Sequence, residues 1–198
     1  RVAEYNSDRL VGTSATTAAD NFAIDHPVYA EIARLMMEHG DWITPWFEPG
    51  TPFWGKPPLS FWVQALSMQW FGVNELAVRF PSWVALVLTM ALVVRFADRL
   101  WGRAEGLLSA LVMLTMALGF VSAGAVMTDP FLLLGVTLSL LCVAEVTLAP
   151  SGRRAGWSFF IGLAIGLLAK GPLTLVLVGL PLIVWVTLER QWRALWQG

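Results

Sequence analysis

The chain has 198 residues, 57% hydrophobic and 14% charged, against roughly 25% charged in an ordinary soluble domain. Its 11 Trp and mean hydropathy of +0.64 exclude a soluble globular domain and a disordered chain, leaving a bilayer as the expected solvent. A net charge of -1 lacks the basic footprint of a nucleic-acid binder, and the single Cys142 excludes a disulfide framework or a cysteine metal cluster.

Residues 1–24 are polar and small, with no apolar run near the ~20 residues that span a bilayer and no signal-peptide pattern. They read as a loose tail. Val28, Ile32, Leu35 and Met36 then recur at helical spacing between His26 and His39, with Asp25 as the N-cap, Pro27 in the first turn and Gly40 as the stop. This is a short amphipathic helix. From Asp41 to Pro58, Trp42, Trp46, Phe53 and Trp54 alternate with Pro45, Pro49, Pro52, Pro57 and Pro58, which predicts an irregular segment at the headgroup level. Leu59 to Phe71 reads as another helix too short to span, broken at Gly72.

Long apolar stretches follow at Phe80 to Val94, Ala104 to Val126, Pro130 to Leu148, Gly156 to Ala169 and Pro172 to Leu188. The first and fourth borrow flanking residues to reach spanning length, and Lys170-Gly171-Pro172 separates the last two. The expected class is all-α: a polytopic membrane protein with about five transmembrane helices (79–198) behind an extracytoplasmic loop with short amphipathic helices (25–78) and the polar tail (1–24). Arg1 at the front and an apolar run at the end predict a piece of a longer protein.

Arg95, Arg99, Arg103, Arg153, Arg154, Arg190 and Arg193 all fall on one face of five alternating spans, seven of the 13 basic residues. The excess of Lys and Arg marks that face as cytoplasmic. Asp25, Lys56, Asp129 and Lys170 then share the extracytoplasmic side.

Charged groups at the membrane edge are costly unless paired or wet, so each of these four demands a reason. Asp25 serves either as a helix N-cap or as a carboxylate that takes a proton from an acceptor or helps hold a metal; His26 beside it reads as a surface histidine. Lys56, locked before Pro57-Pro58, reads either as a snorkelling anchor or as a donor to a lipid phosphate. Asp129, before Pro130, is either an N-cap or a second carboxylate facing the site. Lys170 is either an interfacial lysine or a second cation for a departing phosphate or pyrophosphate. Phosphate-binding loops, dinucleotide fingerprints, zincin helices and nucleophile elbows are absent from the sequence.

The segments Asp25-His26-Pro27-Val28-Tyr29-Ala30-Glu31-Ile32-Ala33, Gly40-Asp41-Trp42-Ile43-Thr44-Pro45, Gly55-Lys56-Pro57-Pro58-Leu59, Arg79-Phe80-Pro81, Thr128-Asp129-Pro130 and Lys170-Gly171-Pro172, in this order and spacing, resemble the polyprenyl-phosphate-dependent glycosyltransferases of bacterial membranes. The resemblance is closest to the aminoarabinose transferase branch of the protein mannosyltransferase superfamily, which has the GT-C fold. It implies an inner-membrane enzyme that moves a sugar from an undecaprenyl-phosphate carrier to an acceptor, lipid A or a protein, at the periplasmic face. It also implies Asp25 as catalytic base, Lys56 at the carrier phosphate and Asp129 as a second acidic residue of the same cavity.

Two positions depart from the pattern: His26 and Gly55 stand where members often carry acidic residues. Both weaken the case for a metal. No cofactor is required, because the leaving group is already a phosphate monoester anion, and a divalent metal stays open. The rival reading is a transporter or flippase fragment, which predicts charges in mid-span or in broken, internally repeated helices. A non-catalytic membrane scaffold is the third reading.

Overall fold

The computed structural model describes residues 18–48, 50–116, 127–148 and 154–189. Seven helices and one small hairpin are found among them. They are α1 (Ala18–His39), β1 (Trp46–Glu48), β2 (Thr51–Pro52), α2 (Leu59–Phe71), α3 (Glu75–Leu100), α4 (Arg103–Thr115), α5 (Asp129–Leu148), α6 (Arg154–Lys170) and α7 (Leu173–Glu189).

The amphipathic helix expected at 26–39 begins earlier, at Ala18. Part of the expected loose tail is therefore helical, and Asp25 lies in the helix interior, not at its N-cap. Local cap signals at Asp25 and Pro27 are overridden because Ala18 and Ala19, strong helix formers, carry the helix further upstream. Ile32, Ala33 and Met36 on its inner face are fully buried, while Glu31, Arg34 and Glu38 pair with one another on the outer face. Residues 1–17 lie outside the described residues.

The segment after Gly40 is more regular than its prolines suggest. β1 and β2 pair antiparallel, with a register irregularity between Trp46 and Glu48, and the Phe53 amide donates to the Pro45 carbonyl at 2.7 Å. Asp41 organises the approach: its carboxylate accepts from the Ile43 and Thr44 amides at 3.1 and 3.0 Å and from the Trp46 indole at 2.9 Å. The hairpin is fastened to α2 by the Trp62 indole, which donates to the Trp42 carbonyl at 2.6 Å.

α2 ends at Gly72 (φ 79°), and Asn74 starts α3 by accepting from the Ala77 amide at 2.8 Å. α1, α2 and the start of α3 share one core of Ala33, Ala65, Met68, Ala77 and Val78. A second core, of Ala85, Phe131, Leu132 and Ala169 with Leu59 and Val63 against it, joins α2, α3, α5 and α6.

α3 and α5 are long and apolar enough to cross a membrane, with windows of mean hydropathy 1.9 and 2.2; the apolar helices Gly156–Lys170 and Leu173–Leu188 are shorter. Many of their large side chains, such as Trp83, Val87, Ile161 and Leu180, face outward, as suits contact with lipid. The expected span Ala104 to Val126 is helical as α4 up to Thr115; residues 117–126 lie outside the described residues, as do Arg153, Arg190 and Arg193. The described fold is thus α-helical apart from the hairpin, with two clear spanning helices.

α5 and α6 touch backbone to backbone. A methyl built on Gly135 would lie 2.5 Å from the Gly166 nitrogen and 2.6 Å from the Gly162 oxygen, so only glycine fits. Ser139 completes the seam by donating to the Gly135 carbonyl at 3.0 Å, with the Phe159 carbonyl at 3.2 Å. Small residues and side-chain hydrogen bonds of this kind hold helices together where lipid removes the hydrophobic drive.

Candidate functional site

Close packing of α5 against α6 sets the N-terminus of one beside the C-terminus of the other. Asp129 opens α5 and Lys170 closes α6, and the Lys170 ammonium donates to Asp129 Oδ1 at 2.6 Å. Each charge sits at the helix end whose dipole favours it, an anion at an N-terminus and a cation at a C-terminus. The two residues expected on one face from 41 positions apart are therefore partners. Their side chains stay 47% and 27% exposed respectively, so the pair is only partly enclosed.

Gly171 (φ 63°) turns the chain after Lys170, its amide donating to the Leu167 carbonyl at 2.8 Å. Positive φ favours glycine there. The Lys-Pro-Pro loop reaches this turn, since Pro57 Cγ is 3.9 Å from where a side chain at Gly171 would start. Leu59, one residue beyond Pro58, packs on the core that contains Phe131 and Ala169. The loop carrying Lys56 and the turn carrying Lys170 are consequently neighbours.

Lys56 itself turns toward α1. Its ammonium lies 4.8 Å from the centroid of the Tyr29 ring, and no carboxylate pairs with it among the described residues. Tyr29 belongs to a three-ring cluster with Phe53 and Phe61, with centroid separations of 6.0–6.2 Å. At Gly55 the Phe53 ring fills the space of a side chain: a methyl there would be 2.7 Å from Phe53 Cζ. The departure from the acidic residue expected at this place thus coincides with an aromatic ring packed over it.

Asp25 lies in α1 one turn ahead of Tyr29; its side chain and that of His26 are outside the described residues. Asp41, outside the spans, has its carboxyl pKa lowered, chiefly by the Thr44 amide and then by the Trp46 indole and the Ile43 amide. Among the described residues no three His, Cys, Asp or Glu side chains gather to hold a metal ion. Sequence reasoning placed Tyr29 within a motif and gave it no role; its only signal was its position four residues after Asp25.

Residues 14–198 match the family model for dolichyl-phosphate-mannose-protein mannosyltransferase. The chain belongs to that family. Within it, the chain is 33% identical over 173 residues to the undecaprenyl phosphate-alpha-4-amino-4-deoxy-L-arabinose arabinosyl transferase 2 of Sodalis glossinidius, covering 85% of this chain and 31% of that protein. It is 34% identical over 175 residues to the corresponding arabinosyl transferase of Edwardsiella ictaluri, covering 86% and 32%. Two crystal structures of ArnT from Cupriavidus metallidurans, one apo and one bound to undecaprenyl phosphate, superpose with a TM-score of 0.79 at 26% identity; the apo form is matched over 86% of this chain and 32% of its own. The fold is therefore GT-C-like. The chain spans about a third of the length of these relatives.

Proposed function

We propose that the protein of which this chain forms part is a membrane glycosyltransferase that moves a sugar from a polyprenyl-phosphate carrier to a lipid A-like or protein acceptor at the periplasmic face of a bacterial inner membrane. The reading rests on family membership together with one observation: Lys56, which pairs with no carboxylate among the described residues, is held on a proline-fixed loop beside a paired Asp129–Lys170 turn. The arginine distribution supports five spans with this face outside the cytoplasm.

An acceptor hydroxyl attacks the anomeric carbon as the bond from that carbon to the phosphate oxygen breaks, with inversion. The acceptor proton goes to the Asp25 carboxylate, and the carrier leaves as a phosphate monoester. Lys56 donates to that phosphate, where charge grows during transfer. Lys170 supplies a second cation at the rim, and Asp129 holds it in place.

Asp25→Asn in the full-length protein separates binding from chemistry. Sugar transfer should fall by at least about 10²-fold, the scale of a lost general base, while undecaprenyl phosphate still binds. Retained transfer would sink the assignment. Lys56→Met should instead raise the Kd for undecaprenyl phosphate about tenfold, as a lost charge-assisted hydrogen bond does.

A further inference from the structure

A lysine that binds phosphate must give up the freedom of a four-carbon stem, which costs entropy unless something else holds it. Lys170 is held by a carboxylate at 2.6 Å, which also spends its charge. Lys56 is held differently. Its ammonium sits over the face of Tyr29 at 4.8 Å, inside the ~6 Å range of attraction between a cation and a ring quadrupole. Such a contact fixes the ammonium without neutralising it.

The ring itself has little room to move. Tyr29 is tilted by 59° and 56° against Phe53 and Phe61, which meet each other edge to face at 85°. Phe61 is fully buried with Ile32 and Met36 beneath it, and Phe53 is fixed above Gly55 and by its amide to Pro45. The platform thus ties α1, the hairpin exit and α2 to the position of one charge.

We infer that Tyr29 is a positioning residue, whose ring face seats the Lys56 ammonium for the carrier phosphate. This rests on the reading of Lys56 as a phosphate ligand. The useful chemistry is that of the π face, so the hydroxyl is dispensable and ring electron density is what matters.

The test measures undecaprenyl phosphate binding to the full-length protein in lipid nanodiscs. Tyr29→Phe should bind within about twofold of wild type, since phenylalanine keeps the face. Replacing residue 29 by mono-, di- and trifluorinated phenylalanine keeps the shape and drains the face. The Kd should then rise stepwise to about three- to tenfold. In a Lys56→Met background the same series should be flat, which a packing role for the ring would not produce.

A flat fluorine series in the Lys56 background, or loss of binding in Tyr29→Phe, overturns the inference while leaving Lys56 as a ligand. Unchanged binding in Lys56→Met alone overturns the reading of Lys56 and the inference with it.

Discussion

Lys56 and Lys170 differ in what balances their charge, and the difference predicts how they respond to substitution. Lys170 is matched by Asp129, whereas Lys56 faces an aromatic ring. Lys170→Met should therefore weaken carrier binding less than Lys56→Met, measured side by side in nanodiscs; a larger loss at Lys170 would reverse the assignment of roles. The Asp129–Lys170 pair is only partly enclosed, so its own contribution is small. A double-mutant cycle with Asp129→Asn and Lys170→Met should give a coupling of about 0.5–1 kcal/mol in unfolding midpoints. All four charged candidates were legible from the sequence because charge is scarce in so apolar a chain. Their pairing was not, since nothing local in Thr128-Asp129-Pro130 or Lys170-Gly171-Pro172 says that two helix ends meet. Tyr29 escaped for a related reason: a ring contributes through what lies over it, and that depends on a loop 27 positions away.

At the scale of elements, the α5–α6 seam is the most demanding contact. Gly135→Ala should destabilise by about 1–3 kcal/mol, because the added methyl meets backbone that has nowhere to go. Gly179→Ala is the control: nothing lies within 4 Å of its added carbon, so thermal unfolding in detergent should be unchanged or slightly improved. The Asp41 turn gives a pH signature. Its lowered carboxyl pKa means the turn's contribution is fully present above the ordinary aspartate value of 3.8 and fades as pH falls through the depressed value. Tryptophan fluorescence of the hairpin should shift below that pH in the native protein, and the shift should be absent in Asp41→Asn. The rough positions of the apolar helices followed from the length of the apolar runs, and that of α1 from its periodicity. The hairpin did not, because Trp46 and Glu48 pair with the adjacent Pro52 and Thr51 across a register irregularity in a proline-rich stretch, and the start of α1 did not, because good cap residues stood inside the helix.

For the whole molecule, the apolar composition identified the solvent, and the order of short motifs identified the family to which residues 14–198 belong. The pairing of Asp129 with Lys170 could not be read this way, since it depends on helix packing through Gly135, Gly162 and Gly166. Under the proposed function, the full-length protein breaks the bond between a sugar and its lipid phosphate. The most direct measurement follows both products in proteoliposomes containing the full-length protein, a polyprenyl-phosphate-linked sugar and a lipid A acceptor. Mass spectrometry should find one free polyprenyl phosphate for each glycosylated acceptor, with neither formed by Asp25→Asn. Intact donor crossing the bilayer, with no free carrier and no glycosylated product, would contradict the account and favour a transporter.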